Sequence, residues 1–503
     1  MNKEDLLEPF ERRQIRILQY VYRNNGRAQI GDIAKEMRFS SRRLLMDDLQ
    51  SIKNVLEENL KKYRVLFEWD DNTVTFEING RVSLKTLIFP YYLQTAKIRL
   101  IEHLVLDNNL TNIQLARELN LSVATLYRKI GELNELFEVF NVTITHFELT
   151  GDEVNVQHLL FELLWNVCPK DQFIYKRYLL KNTRAAQAVR RLTDDPHYQN
   201  LQLSVDAPRK LYTWLLIIRT RRRNASQSQD LEGWSTPYAI MTSHLMRDNS
   251  QFEQLWSLMD QTALLPPSET LNRRIKQHFL MFCLAHEIFS SKSNFWTPLL
   301  TAPADEDQLV AMAHQIQERY MTSLLKKQSV ETKQYTLKYL YHVLVNVVVF
   351  PGHVNLLRPA TTRRYYERLQ NEQIIHWAQD LSEKIAALVK EQFEIDVNLD
   401  YLVQLMVVLQ LNARHLFATH LRVAVDPGIG AMWLQPFIQA CQSFLNQTLQ
   451  ATVEVFQPHR HYDLYLSDHF SDRPIEQADR TYILTDLGSE ADFKKIVALL
   501  QYL

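Results

Sequence analysis

The sequence predicts a mainly α, multidomain protein with two winged helix-turn-helix units, two all-helical domains and a small C-terminal α/β domain holding a mainly parallel sheet. Three observations lead there. Glycine is scarce, ten of 503 residues, against a usual share of roughly 7%. That shortage disfavours barrels, propellers and phosphate-cradling loops, and suits chains whose Leu, Gln, Glu, Arg and Ala keep helical rotamers. A three-helix pattern with a strand pair behind it occurs twice within the first 157 residues. After Phe417 the apolar spacing changes from helical to strand-like.

The first unit, residues 1–82, opens with Ile15, Leu18, Val21 and Tyr22 on one helical face, and Gly26 ends that helix. A short helix follows, with Ile30, Ile33, Ala34 and Met37 at i, i+3, i+4 and i+7. Phe39-Ser40-Ser41 then forms a turn whose serine can cap the next helix. That third helix turns Leu45, Leu49, Ile52 and Leu56 inward and leaves Arg42, Arg43, Met46, Asp47 and Gln50 outside. Alternating runs at 64–69 and 73–78, separated by Asp70-Asp71-Asn72, read as a β-hairpin.

The second unit, residues 83–157, repeats the plan. Ile98, Ile101, Leu104 and Val105 make its first helix, broken at Asn108-Asn109. A short helix runs to Leu119, Leu121-Ser122 turns, and Leu126, Ile130, Leu133 and Phe137 line the last helix. Ala34-Lys35-Glu36-Met37 lies over Ala116-Arg117-Glu118-Leu119 at an offset of 82, and the third helices match at 81 because the first turn is one residue longer. A hairpin is expected over 142–149, with its turn at Thr150-Gly151-Asp152 and a return strand at Val154.

A helix of this size fits the major groove, where its N-terminal residues reach base edges or phosphates. The expected DNA-contacting set is Ser41, Arg42, Arg43 and Gln50 in the first unit and, in the second, the outward-facing Thr125, Arg128 and Lys129 with Tyr127 able to pack on sugar or a thymine methyl. Residues 1–65 carry 14 basic and 10 acidic side chains, whereas residues 95–140 carry 5 and 6, so the first unit should hold phosphates more firmly. Over the whole chain, 57 Lys and Arg nearly balance 58 Asp and Glu, so any nucleic-acid surface must be local.

The middle of the chain reads as helix after helix, with domains expected at 158–290 and 291–398 and breaks near 194–196, 224–233, 265–267, 301–303 and 351–352. Its scattered histidines show no HxxH or HExxH spacing, and no serine or cysteine sits in a catalytic setting, so neither a metal nor a cofactor is expected and the chain is not read as an enzyme. Residues 170–224 hold 13 basic and 4 acidic side chains, a solvated helix end or a place for a phosphate. Cys168, Cys283 and Cys441 are far apart, which suits a reduced, cytoplasmic setting. The N-terminal stretch has no signal-peptide core, and the apolar run 343–350 is too short to span a bilayer, so no membrane partner is expected.

The last domain, residues 415–503, has strand candidates at 421–425, 452–456, 463–466 and 481–485, and closes with a helix over 489–502. Asp426-Pro427-Gly428-Ile429-Gly430 turns from the first strand into a helix and could meet an anion. His459-Arg460-His461 reads as a solvated loop in preference to a metal pair.

In this order the modules resemble the Mga/AtxA family of virulence regulators, and the paired segments 30–52 and 110–133 carry the resemblance. The resemblance implies a transcriptional activator that binds double-stranded promoter DNA through both helix-turn-helix units and self-associates, as a homodimer or higher oligomer, through its C-terminal half. Its middle domains would be similar to phosphotransferase-system regulation domains, phosphorylated on histidine by that system's phosphocarrier protein. The candidate histidines are His197 and His278 in the first and His314 and His342 in the second. The last domain would be similar to the enzyme IIB component of sugar transport. Enzyme IIB carries a phosphocysteine just after its first strand, whereas here Cys441 lies inside the following helix, so docking or dimerisation is the preferred role. The competing readings are a phosphotransfer enzyme with appended DNA-binding units and an RNA-binding antiterminator, whose RNA-binding part would be a small β domain.

Overall fold

A computed structural model describes residues 1–60, 65–78, 82–106, 110–167, 183–195, 198, 200–225, 249–260, 269–298, 307–321, 330–350, 352–354, 372–417, 421–426, 431–446, 451–468, 476–484, 489, 492–493, 495–496 and 499. The chain falls into two compact units, Met1–Tyr320 with Leu337–Gln404, and Met321–Thr336 with Leu405–Leu503.

The larger unit begins with a 3-10 turn, Lys3–Leu6, and then α1 (Pro9–Arg23), β1 (Arg27–Gln29), α2 (Ile30–Glu36), α3 (Arg42–Leu60), β2 (Val65–Trp69) and β3 (Thr73–Ile78). The apolar faces expected of α1 and α3 meet in one core of Ile15, Leu18, Val21, Leu45, Leu49 and Ile52, closed by Phe76 from the hairpin. β1 is an element the sequence does not announce: three residues are too few to show a period of two. It pairs with β3, giving the antiparallel order β1-β3-β2. Gly26 makes the connection possible, because at φ +78 a Cβ there would lie 2.7 Å from the Phe76 carbonyl.

Next comes α4 (Leu84–Gln94), capped by Ser83, which accepts from the Thr86 N–H. Leu87, Phe89, Tyr91 and Tyr92 are all buried, so this helix has no polar face for a periodicity argument to find.

The second winged unit is α5 (Ala96–Leu106), α6 (Asn112–Glu118), α7 (Val123–Phe137), β4 (Thr143–Thr145) and β5 (Glu148–Thr150). Its hairpin corrects the sequence expectation. The turn is His146-Phe147, both left-handed at φ +50 and +65, and Thr150 ends the second strand. Two central residues with positive φ make a type I′ turn, normally built from Asn and Gly, so residue preference pointed to Gly151 instead. Val154 belongs to the next helix, α8 (Glu153–Val167).

The helical remainder is α9 (Thr183–Asp194), α10 (Ala207–Ala225), α11 (Ser250–Asp260), α12 (Glu269–Ala285), α13 (Gln308–Tyr320), α14 (Val330–Val348), α15 (Glu372–Phe393) and α16 (Leu399–Phe417). No described helix is long and apolar enough to cross a membrane.

In the smaller unit β6 (Leu421–Asp426), α17 (Ala431–Leu445), β7 (Ala451–Val455), β8 (Leu464–Ser467) and β9 (Thr481–Ile483) build an all-parallel sheet of order β7-β6-β8-β9. All four expected strands are present. Val423, Val425, Val453, Leu464 and Leu466 bury one core with Ile438, Cys441 and Leu445 of α17. The loop carrying Gly428 and Gly430 and most of the expected closing helix lie outside the described residues.

Candidate nucleic-acid interface

The turn between the second and third helices has the same construction in both winged units. α2 and α6 each end in a residue with αL geometry, Arg38 (φ +54) and Asn120 (φ +55), at the offset of 82 read from the sequence. The following amides close back on the helix, Phe39 N–H to Ala34 O at 2.9 Å and Leu121 N–H to Ala116 O at 2.8 Å. This pairing satisfies carbonyls that a helix end would otherwise expose. The third helix is then capped by serine. Ser41 Oγ accepts from the Leu44 amide (3.3 Å) and Ser122 Oγ from the Thr125 amide (3.1 Å).

In the first unit Ser41, Arg42, Arg43 and Gln50 are all exposed. Arg42 Nη2 donates to the carbonyl of Asp71 in the wing turn (2.8 Å), which braces the helix start against the wing. Gln50 Nε2 donates to Asn54 Oδ1 along the helix (2.9 Å). The wing tip is acidic. Asp70 Oδ1 accepts from the amides of Asn72 and Thr73, both at 2.8 Å, and these bonds hold its carboxyl below the usual range. A carboxylate ionised there repels anions, whereas the helix start beside it carries the exposed Arg42 and Arg43.

In the second unit Tyr127 is 52% exposed and packs against Phe147 of the wing turn, ring centroids 5.9 Å apart. That contact, and the bonds from Asn134 to both backbone groups of Ile144, fix the wing on α7 (2.6 and 3.3 Å). Thr125 is half-buried beside its cap. Arg128 is exposed, its Nε 3.9 Å from Glu132.

Lys129 does not face outward, as the sequence led us to expect; it is buried. Its Nζ lies 2.8 Å from Glu8 and 3.0 Å from Glu132, and Lys97 Nζ lies 2.9 Å from the same Glu132. Lys97 also donates to the Asp5 carbonyl (2.8 Å), and Thr95 Oγ1 to that of Leu6 (3.1 Å). The N-terminal segment of the first unit therefore straps across the second. Burial opposes the Lys129 charge, but the bonds and charges of Glu8 and Glu132 outweigh it and raise the pKa; for Glu132 burial is likewise outweighed by Lys97 and Lys129, and its pKa falls. Within α7, position 129 flanks the buried stripe, and the partner that covers it lies 121 residues earlier in the chain, so no local pattern reveals it.

The four candidate histidines do not share one environment. His197 lies outside the described residues. His278 is buried on α12, and His314 is half-buried on α13. His342 is half-buried, its Nδ1 2.8 Å from the Leu284 carbonyl and its Nε2 3.3 Å from Asn346 Nδ2. His278 is shielded from a carrier protein in this conformation, and His342 only in part. Cys441 is fully buried, which pushes its thiol up to about 12. Arg460 and His461 sit exposed on Glu454 (2.8 Å) and Asp479 (3.0 Å), as befits a solvated loop. A buried group of His158, Glu162 and His353 lies outside the sequence-predicted set; the i, i+4 spacing of the first two on α8 is its one local signal in the sequence.

Residues 80–164 match the family model of the Mga helix-turn-helix domain, a span that contains α4 to β5 and most of α8. This part of the chain is thus a helix-turn-helix domain of the kind by which transcriptional regulators bind DNA. No curated protein matches the chain.

Proposed function

We propose that the chain is a transcriptional regulator that binds double-stranded promoter DNA through both winged units, with Arg42 and Arg43 of α3 and Thr125, Tyr127 and Arg128 of α7 at the contact. One observation carries the reading: two units share the same left-handed turn and serine cap before a third helix that presents exposed arginine, Arg42 and Arg43 at its start in the first and Arg128 in its second turn in the second. The match over 80–164 supports it from the second unit. Duplex binding should weaken steeply with salt, and Arg43→Ala should lower affinity without moving the melting temperature, whereas Arg42→Ala, which also removes the bond to the wing, should lower both. Tight binding of hairpin RNA with no duplex binding would overturn the reading in favour of an antiterminator.

The finer reading follows the resemblance. Residues 158–290 and 291–398 act as regulation domains phosphorylated on histidine by the phosphotransferase-system carrier, at His197, His278, His314 or His342, and residues 415–503 act in self-association. The added phosphate, roughly two negative charges, would repack helices that now cover His278 and His342. Mass spectrometry after incubation with the phosphorylated carrier tests the first part; label on Cys441 alone would support a transfer enzyme. Sedimentation of the full chain against a chain ending before residue 415 tests the second.

A further inference from the structure

Helix α8 carries His158 and Glu162 one turn apart, and the segment after α14 brings His353 to them; all three are buried. One donor atom from each lies within 4.8 Å of the other two. Nε2 of His158 contacts the Gly352 carbonyl (2.9 Å), and Nε2 of His353 the Asn346 carbonyl (3.1 Å). A carbonyl only accepts, so each Nε2 carries the proton and each Nδ1 keeps its lone pair. Bracing of this kind is how metal-binding imidazoles are oriented. The Glu162 carboxylate is braced too, its Oε2 accepting from Asn166 Nδ2 and from the Val354 amide, both at 3.0 Å.

Two features of this group are unexplained by a simple polar knot. His158 Nδ1 is buried with no hydrogen-bond partner, and so is Nε2 of the adjacent His286, whose ring lies 6.0 Å from that of His158. Glu162 has no ion-paired cationic side chain among the described residues, although it is buried. An unpartnered buried imidazole nitrogen beside a buried carboxylate and a second imidazole is a donor set suited to a Lewis acid.

We propose that His158, Glu162 and His353 form a buried site for one first-row transition-metal dication, Zn²⁺ foremost, held by two imidazole nitrogens and one carboxylate oxygen. Two imidazoles exclude Mg²⁺ and Ca²⁺, which take oxygen donors, and the absence of thiolate separates the site from a zinc-finger type. Bonds of about 2.1 Å place donors about 3.4 Å apart, so the three side chains close inward by roughly an ångström, and water can complete the coordination.

The site's position gives the ion its structural effect. Gly352, whose carbonyl braces His158, sits at φ +77, where a Cβ would lie 2.4 Å from the Val139 carbonyl just past α7. The Met1 nitrogen donates to the His353 carbonyl at 3.2 Å. A bound ion would thus tie together α8, the segment after α14 and the base of the second winged unit. Metal uptake at these residues requires no DNA, so it can be measured on the chain alone.

The test uses the full chain stripped with chelator and titrated with Zn²⁺ by calorimetry and with Co²⁺ by absorption. One equivalent should bind, with the intense visible bands of four- or five-coordinate cobalt and no thiolate charge transfer, and Zn²⁺ should raise the melting temperature. His158→Gln and His353→Gln should each weaken binding by about a hundredfold or more, and Glu162→Gln, which keeps the side-chain shape, should weaken it as well. His459→Ala with His461→Ala should change nothing. A folded, stripped chain that takes up no stoichiometric metal overturns the proposal, as does uptake that survives the buried substitutions and is lost with the exposed pair. Should the histidine variants not fold, Glu162→Gln and the cobalt spectrum of the unmodified chain decide it.

Discussion

Arg128 and Lys129 are adjacent on α7, yet they should fail in opposite ways. Arg128 is exposed, so Arg128→Ala should weaken duplex binding and lower its salt dependence by about one ion, with the melting temperature unmoved. Lys129 is enclosed by Glu8 and Glu132, so Lys129→Ala leaves two carboxylates facing each other and should cost about 1–3 kcal/mol, read by denaturant titration. The glycines divide in the same manner. Gly131 lies inside α7 with nothing within 4 Å of where a Cβ would stand, so Gly131→Ala should stabilise by about 0.5–1 kcal/mol. Gly352→Ala, strained at positive φ and against the Val139 backbone, should lower the melting temperature by several degrees. Neither contrast is visible in sequence, where neighbouring basic residues and single glycines look alike. Burial by a distant segment is what separates them.

Elements were legible where a pattern repeats. The third helices α3 and α7 were read from paired apolar positions with a serine at the cap, and the parallel strands from short apolar runs broken by helical ones. Three features hid for physical reasons. β1 is too short to alternate, α4 is buried all round, and the His146-Phe147 turn uses residues that a left-handed backbone seldom selects, held there by Phe147 packing on Tyr127. α17 carries a further consequence. Its Cys441 sits in the sheet-facing core and, like Cys283 on α12, is held as a thiol by burial. Both should resist alkylation in the native protein and react once denaturant is added; rapid native labelling of Cys441 would revive a transfer role for the last domain.

Across the whole molecule, the ion network that joins the winged units has a defined pH window. The folded pKa of Glu132 lies below its ordinary value, so its contribution is full above that value and fades as acid carries the pH down through the folded pKa. That of Lys129 is raised, so its contribution is full below the ordinary lysine value and fades as the pH rises through the folded one. The partly exposed geometry limits the Glu132 share to about 1 kcal/mol. The stability gap between the native chain and Glu132→Gln should therefore be present at neutral pH and shrink as the pH falls below the ordinary glutamate value of 4.5, as followed by thermal melts. If both third helices meet DNA as proposed, the strap of Asp5, Leu6 and Glu8 across Lys97, Thr95 and Lys129 turns them into a ruler. Two readers on a slack tether would tolerate a site whose halves are moved apart by a full turn of the duplex. A ruler measures distance as well as facing, so adding about ten base pairs should harm binding as much as adding about five. Spacer-length series on a mapped site would read the ruler's stiffness directly, and equal tolerance of the full-turn insertion would mean that the strap lets go when DNA binds.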